Sequence, residues 1–506
     1  DHLGGKEIHE LDSKSGALRA MVPRASLEAL ARETAVLWIE RSGTVELDSD
    51  ISAWTIQSNN PSTRVRSIHG HGITGGGETV TIGDTGLDLH HAAFADPLYP
   101  NANPSHRRVT AYYTPAGVLG DNQDNGPSNH GTHVGGIVAG DWGTLGSFDG
   151  DGIRAPECTP EDYFWNNCPE EKVSVHDGTA FGGKLQVQDL LQEGQLFLAA
   201  VNYFYLFDSA RNPALRPSGS QGAEPSWIHS DSWGEPWSPA YTSTAGIIDN
   251  YLWDTDEFTV VYSAGNRGPL LSTLNKQASG KNMITVGASA NGDKSSDLAL
   301  GKGGYTFSSR GPTRDGRIKP DVMAPGEAVW SARGCYDRLI LPPDNNCPEP
   351  NPSVDPTSTK YKSYKPLNGT SMSAPAVAAA AALVRQYFLD GWYPDGLQGG
   401  PSITPSSALI KGTLINSADE MNGLGAYDNA ETKFPNGNQG WGRIHLDNTL
   451  NFECDASKLV IDDNRTGLRT GEHATYPFMV GATTEPLKIT LVWTDRGVLN
   501  PPQDGS

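Results

Sequence analysis

Four short runs of strand-forming residues punctuate the first 290 positions: Thr79–Gly83, Lys184–Gln188, Thr259–Tyr262 and Met283–Gly287. Helix-like stretches alternate with them and follow them, at Gln195–Phe204, Ala376–Phe388 and Ser406–Ser417. Short buried strands separated by helices predict an α/β fold built on a mostly parallel sheet, since such strands need helices on both faces. Reactive side chains in these folds gather where the strands end. The residues just past each run are therefore the first place to look for chemistry.

The flanks follow other rhythms. Residues 1–46 read as a strand (Ala17–Val22), a short helix (Ala25–Glu33) and another strand (Val36–Glu40), half of a small α/β sandwich and too little to stand alone. Residues 47–451 form the main α/β body. Within it, 141–176 and 334–364 lack either periodicity and read as surface insertions. From 452 to 506 the pattern is β only, with strand-like His473–Val480 and Leu487–Trp493. Two or three strands do not make a sandwich, so the chain is expected to stop inside a second, β-type domain.

The net charge is −21, from 38 basic and 59 acidic residues (38 − 59 = −21). That balance argues against nucleic acid as a partner, because phosphate contacts need Lys and Arg. The longest apolar run, Ala374–Val384, contains a proline and is too short to span a bilayer, so no membrane partner is expected. Among five cysteines, Cys158 and Cys168 flank one loop and Cys335 and Cys347 another, at spacings unlike metal sites. Two short-range disulfides in an oxidising compartment are expected, with Cys454 left over. No signal peptide is visible, and the first residue is Asp1 rather than Met, as in a processed, secreted protein.

The stretch Asn368-Gly369-Thr370-Ser371-Met372-Ser373-Ala374-Pro375 leads into an alanine-rich run, Ala376–Val384. A serine at such a helix mouth faces unpaired N–H groups and the positive end of the helix dipole, where a developing negative charge is stabilised. An acyl-transfer nucleophile needs that environment, a base, and a carboxylate to orient the base. His130, in Asn129-His130-Gly131-Thr132-His133, offers the base, and Asp84, ending the Thr79–Gly83 strand, offers the carboxylate. Alone, each has a plainer reading: a turn at Asp84-Thr85-Gly86, a metal pair or structural histidine at His130, a helix cap at Ser371. The order Asp, His, Ser narrows the choice.

On these motifs the chain resembles the subtilisin-like serine proteases over roughly residues 78–450. The resemblance implies that Ser371 is the nucleophile, His130 the general base and then acid, and Asp84 its orienter, with His133 a packing residue. Ser263-Ala264-Gly265-Asn266-Arg267-Gly268-Pro269 matches the family's oxyanion segment, which gives Asn266 the role of side-chain donor beside the Ser371 N–H. Ser232-Trp233-Gly234 and Ser263-Ala264-Gly265 match the two walls of the P1 pocket, and their small residues imply a slot for large apolar or aromatic side chains. An extended peptide would add between them as a strand.

Phe307–Gly326 and Pro435–Arg443 resemble the alkaline subtilase branch that carries a C-terminal β jelly roll, with Leu491–Asp495 as an early strand of it. Residues 1–46 resemble the tail of a subtilase propeptide, an intramolecular chaperone and inhibitor cut off near Thr44–Ser52. Protein or peptide substrates, a monomer and activity rising through neutral pH are expected. So is structural calcium of unassigned ligands, with Asp121, Asp124, Asp149 and Asp151 as loop acids to examine. Met372, beside the nucleophile, would inactivate on oxidation if solvent reached it. Asn464-Arg465-Thr466 is a glycosylation sequon. The competing reading is a catalytically silent binding protein on the same fold.

Overall fold

The computed structural model describes residues 6–12, 17–21, 23–30, 32, 48–60, 64–91, 93–96, 98–114, 123–124, 129–141, 177–191, 202–236, 239–301, 303–334, 364–428, 433–481 and 487–498. Two compact units result, Asp1–Glu46 and Leu47–Ser506. In the first, β1 (Lys6–Asp12) pairs antiparallel with β2 (Ala17–Met21), and a 3₁₀ turn leads into α1 (Leu27–Leu30). The Lys6–Asp12 strand was not anticipated; its charged sequence takes strand form against β2. The strand expected at Val36–Glu40 lies outside the described residues.

The second unit opens with α2 (Asp48–Gln57) and α3 (Ser67–Gly70), then β3 (Thr79–Asp84), β4 (Val109–Tyr113), α4 (His130–Ala139) and β5 (Lys184–Asp189). There follow α5 (Tyr203–Arg211), β6 (Ile228–Asp231), α6 (Ser243–Asp254), β7 (Thr259–Ser263), β8 (Ile284–Ser289), β9 (Val322–Pro325), β10 (Val329–Ala332), β11 (Tyr364–Leu367), α7 (Thr370–Leu389) and α8 (Ser407–Ser417). Seven strands form one sheet in the order β4-β5-β3-β6-β7-β8-β9. Every neighbouring pair is parallel. A separate antiparallel pair joins β10 and β11.

Both faces of the sheet are covered, so its strands are buried along their length, polar positions such as Thr81, Gln186 and Gln188 included. On β7, Val261 joins the core beneath α4 and α7, while Val260 and Tyr262 join a second core with Leu206, Phe207, Ile248 and Leu252 from α5 and α6. The α7 helix lies across β6, β7, β8 and β9. Its Ala376–Ala382 stretch is fully buried, and alanine lets the helix approach the sheet closely. By length and apolar composition α7 could cross a membrane, yet 94% of its most apolar window is buried inside the fold.

The segment 452–506, expected to open a β-type domain, takes another course where it is described. Its described residues, 452–481 and 487–498, contain no strand. Tyr476, Phe478, Met479, Ile489, Leu491 and Trp493 are exposed. A strand requires a neighbouring ladder, and two such stretches supply none. Instead, residues 488–497 strap across the body. Lys488 Nζ donates to the Asn416 and Ala418 carbonyls, at 2.8 and 2.9 Å. Asp495 and Asn282 exchange two bonds of 2.7 and 2.8 Å.

Candidate active site

Three neighbouring strands of the sheet end at one place. β3 delivers Asp84, β6 runs into Ser232-Trp233-Gly234, and β7 runs into Ser263–Asn266. The N-terminus of α7 brings in Ser371 from the helix face. A pocket of about 290 Å³ opens there, lined by Ser232, Trp233, Gly234, Ser263, Gly265, Asn266, Arg267, Asn275, Thr370 and Ser371. Ala264, expected in one wall, is instead fully buried with Leu274 and Ala278 and is not among the lining residues.

Asp84 is buried, and its Oδ1 lies 2.8 Å from His130 Nδ1. The same oxygen accepts the Thr85 N–H at 2.8 Å. His130 is the first residue of α4, and a very close approach puts it against the β3 turn. A Cβ on Gly131 would lie 2.0 Å from the Gly86 carbonyl oxygen, so only glycine permits that contact. Asn129 takes the left-handed conformation just before the helix, with φ 45°. Asp124 ties the same corner together: its Oδ2 accepts the Thr132 N–H at 2.7 Å and its Oδ1 the Thr85 hydroxyl at 2.9 Å. Thr85 Oγ1 in turn accepts the Gly131 N–H at 2.9 Å.

The electrostatics follow from this crowding. Burial alone pulls the His130 imidazole down, but the charge and hydrogen bond of Asp84, helped by the Asp124 charge, outweigh it and leave the group raised above 6.5. Burial drives Asp124 up to about 7, against the Thr132 N–H that favours its ionised form. His133, by contrast, is pushed down to about 3 by burial and bonds the Lys365 carbonyl at 3.0 Å. It is a neutral packing residue, as expected.

Ser371 has an unusual setting with a sequence cause. Pro375, four residues on in α7, has no N–H to give the Ser371 carbonyl. Ser232 Oγ fills that vacancy, donating to the carbonyl at 2.9 Å. Ser371 Oγ reciprocates by donating to the Ser232 carbonyl at 3.0 Å rather than to His130. Asn266 is equally constrained: its Oδ1 accepts the Thr370 N–H at 2.8 Å and the Thr370 hydroxyl at 3.0 Å. With the oxygen committed, the amide Nδ2 is the end left for a ligand. Met372 is 1% exposed, so the solvent access that oxidation requires is missing at rest.

Several participants were not legible beforehand: Thr85 and Asp124 as braces of α4, Thr370 as the orienter of Asn266, and Arg267 and Asn275 in the pocket. Arg267 adjoins Asn266 in the motif, but Asn275 reaches the pocket only through the fold. Of the four loop aspartates, Asp121, Asp149 and Asp151 lie outside the described residues, and Asp124 spends both oxygens as above. Among the described residues no group of three or more His, Cys, Asp or Glu could hold a metal ion. Cys158, Cys168, Cys335 and Cys347 also lie outside the described residues, while Cys454 is exposed and in no disulfide.

A protein described as serine protease/ABC transporter B family protein tagB, from Dictyostelium discoideum, is 28% identical over 75% of this chain and 22% of its own length. Its relative tagD, from the same organism, is 26% identical over 84% of this chain and 27% of its own. The chain thus spans about a quarter of these relatives. Serine protease AprX of Bacillus subtilis is 33% identical over 35% of each chain. The solved prenylagaramide maturation protease PagA covers 76% of this chain and 96% of its own at a TM-score of 0.43 and 16% identity, too distant to carry a conclusion. The subtilase family model matches residues 75–442, well over half of the sequence. The chain therefore belongs to the subtilase family of serine peptidases.

Proposed function

We propose that this chain is a serine endopeptidase that works through an acyl-enzyme. Ser371 Oγ turns from the Ser232 carbonyl to His130, gives its proton to the imidazole and attacks the scissile carbonyl carbon. Asp84 holds the ring by its Nδ1–H and stabilises the imidazolium that forms. The tetrahedral oxyanion takes hydrogen bonds from Asn266 Nδ2 and the Ser371 N–H. His130 then protonates the leaving amine, and the acyl-enzyme is hydrolysed by water with His130 again as base. The observation that carries the reading is the 2.8 Å Asp84–His130 contact at the end of β3, with Ser371 and Asn266 sharing one adjacent pocket.

A large apolar or aromatic P1 side chain is proposed to lie in the slot between Ser232–Gly234 and Ser263–Gly265. Residues 1–46 act as a propeptide, a role favoured by their forming a compact unit that ends at Glu46. Secretion, a monomeric state, structural calcium with ligands unassigned, and disulfides Cys158–Cys168 and Cys335–Cys347 belong to the same proposal. The test is cleavage of an unfolded protein substrate by the wild type and by Ser371→Ala. Fragments from both, or from neither after residues 1–46 are removed, would overturn it. N-terminal sequencing of the active form tests the propeptide: a mature start near residue 47 is expected, and an active form still beginning at Asp1 refutes it.

A further inference from the structure

We propose that Asn275 reads the far end of the P1 side chain, its amide Nδ2 donating a hydrogen bond to a neutral oxygen there, so that tyrosine is preferred to phenylalanine. This rests on the peptidase reading above and narrows its aromatic substrate class. Asn275 lines the same pocket as Ser371, yet the residue is only 5% exposed. It comes from the connection between β7 and β8, and its backbone N–H donates to the Ala264 carbonyl at 2.9 Å, which ties it to one wall.

The fold fixes which end of the amide meets a ligand. Arg267 Nη1 donates to Asn275 Oδ1 at 3.1 Å. A guanidinium N–H can only donate, so the amide oxygen must face it and the NH₂ group must point the other way. Arg267 enters only as that donor, whatever else it pairs with. Among the described residues no acceptor lies within hydrogen-bond distance of Asn275 Nδ2. A nearly buried amide with one end satisfied and the other opening on a pocket is a directed donor for a ligand oxygen.

Two glycines make room for the amide. A Cβ on Gly234 would lie 2.7 Å from its Nδ2, and a Cβ on Gly265 would lie 2.8 Å from its Oδ1. Both walls are therefore bare backbone where they meet Asn275, a slot that suits a flat ring. Neighbouring polar groups are committed elsewhere. Glu235, next to Gly234, is paired with Lys276 at 2.9 Å. Trp233 Nε1 donates to the Gly83 carbonyl at 3.0 Å, and its ring packs against Tyr203 and Tyr262. A phenol oxygen at the end of the slot meets Nδ2 as an acceptor, whereas a phenylalanine ring leaves that donor unanswered.

The experiment measures kcat/KM for two peptides identical except for Tyr or Phe at P1. The wild type is expected to favour Tyr by about fivefold, the scale of one neutral hydrogen bond. Asn275→Leu removes the donor at similar volume and is expected to bring the ratio to about one, by losing rate on Tyr rather than on Phe. Active enzyme is counted by sulfonyl fluoride titration so that partial misfolding does not enter either rate. Equal cleavage after Tyr and Phe by the wild type, or an unchanged ratio in Asn275→Leu, overturns the proposal. Asn275→Ala, with the same expected ratio, takes its place if the leucine variant does not fold, and the wild-type ratio decides alone if neither does. Cleavage of neither peptide by an enzyme that labels at Ser371 also overturns the proposal. Cleavage of neither with no labelling of Ser371 would instead indict the peptidase reading.

Discussion

Replacing Asn266 by aspartate separates the oxyanion role of this residue from its structural one. Its Oδ1 accepts from the Thr370 N–H and hydroxyl at 2.8 and 3.0 Å, and a carboxylate oxygen can keep both bonds. Aspartate removes only the Nδ2 donor. Loss of one such donor lowers kcat by about 10²–10³, or about 2.7–4 kcal/mol. The new carboxylate would also face the oxyanion. Two like charges about 4 Å apart at an effective dielectric of about 20 repel by roughly 4 kcal/mol, so Asn266→Asp should be the poorer enzyme. Asn266→Ala loses the donor too and also strands the buried Thr370 N–H, at about 1–3 kcal/mol of stability. The account therefore predicts crossed rankings, with aspartate worse in kcat and alanine worse in thermal midpoint. Steady-state kinetics and calorimetry on both variants are the assay. Asn266→Asp retaining kcat within about tenfold of the wild type would refute the assignment.

Asp84 and Asp124 hold the His130 pKa above its ordinary value, so activity, which needs the neutral ring, should rise with pH through a point above 6.5. Asp124→Asn removes one raising charge and should move that acid limb of kcat/KM to lower pH; an unmoved limb contradicts the coupling. Asp321 accepts from Lys319 at 2.5 Å and pairs with Lys411 at 3.1 Å, all three buried. Asp321→Ala strands two buried ammonium groups and should cost about 3–5 kcal/mol in denaturant unfolding, and a loss under about 1 kcal/mol would show the pairing to be idle. Ser232→Ala should destabilise the wild type by about 1 kcal/mol but do less harm alongside Pro375→Ala, which restores an N–H for the Ser371 carbonyl. Strict additivity in that double-mutant cycle would refute the substitution of Ser232 for the missing helix donor.

The parallel sheet was legible where strands are buried on both faces and made of strand-forming residues, as at Thr79–Asp84 and Thr259–Ser263. Ile228–Asp231 escaped notice because three of its four residues are polar. His229 and Asp231 are tolerable in mid-sheet only because they bond each other at 2.9 Å, a contact no local pattern reveals. Helix α7 and its serine stood out through the alanine run and the glycine before it. The support around Ser371 did not, because Ser232 lies 139 positions away and its role depends on Pro375. The apolar alternation at Leu487–Trp493 misled for the opposite reason, since β propensity expresses itself only beside another strand. Asn275 could not be read from the small wall residues of the two motifs, because only tertiary folding brings it to the pocket.

Covalent labelling tests the central claim most directly. Protein freed of residues 1–46 is treated with a sulfonyl fluoride and mapped by peptide mass spectrometry, beside His130→Ala and Ser371→Ala. The account predicts one adduct per chain, on Ser371, lost in step with activity and formed far more slowly in His130→Ala. No adduct, an adduct on another serine such as Ser232 or Ser373, or equal labelling with and without His130 would contradict it.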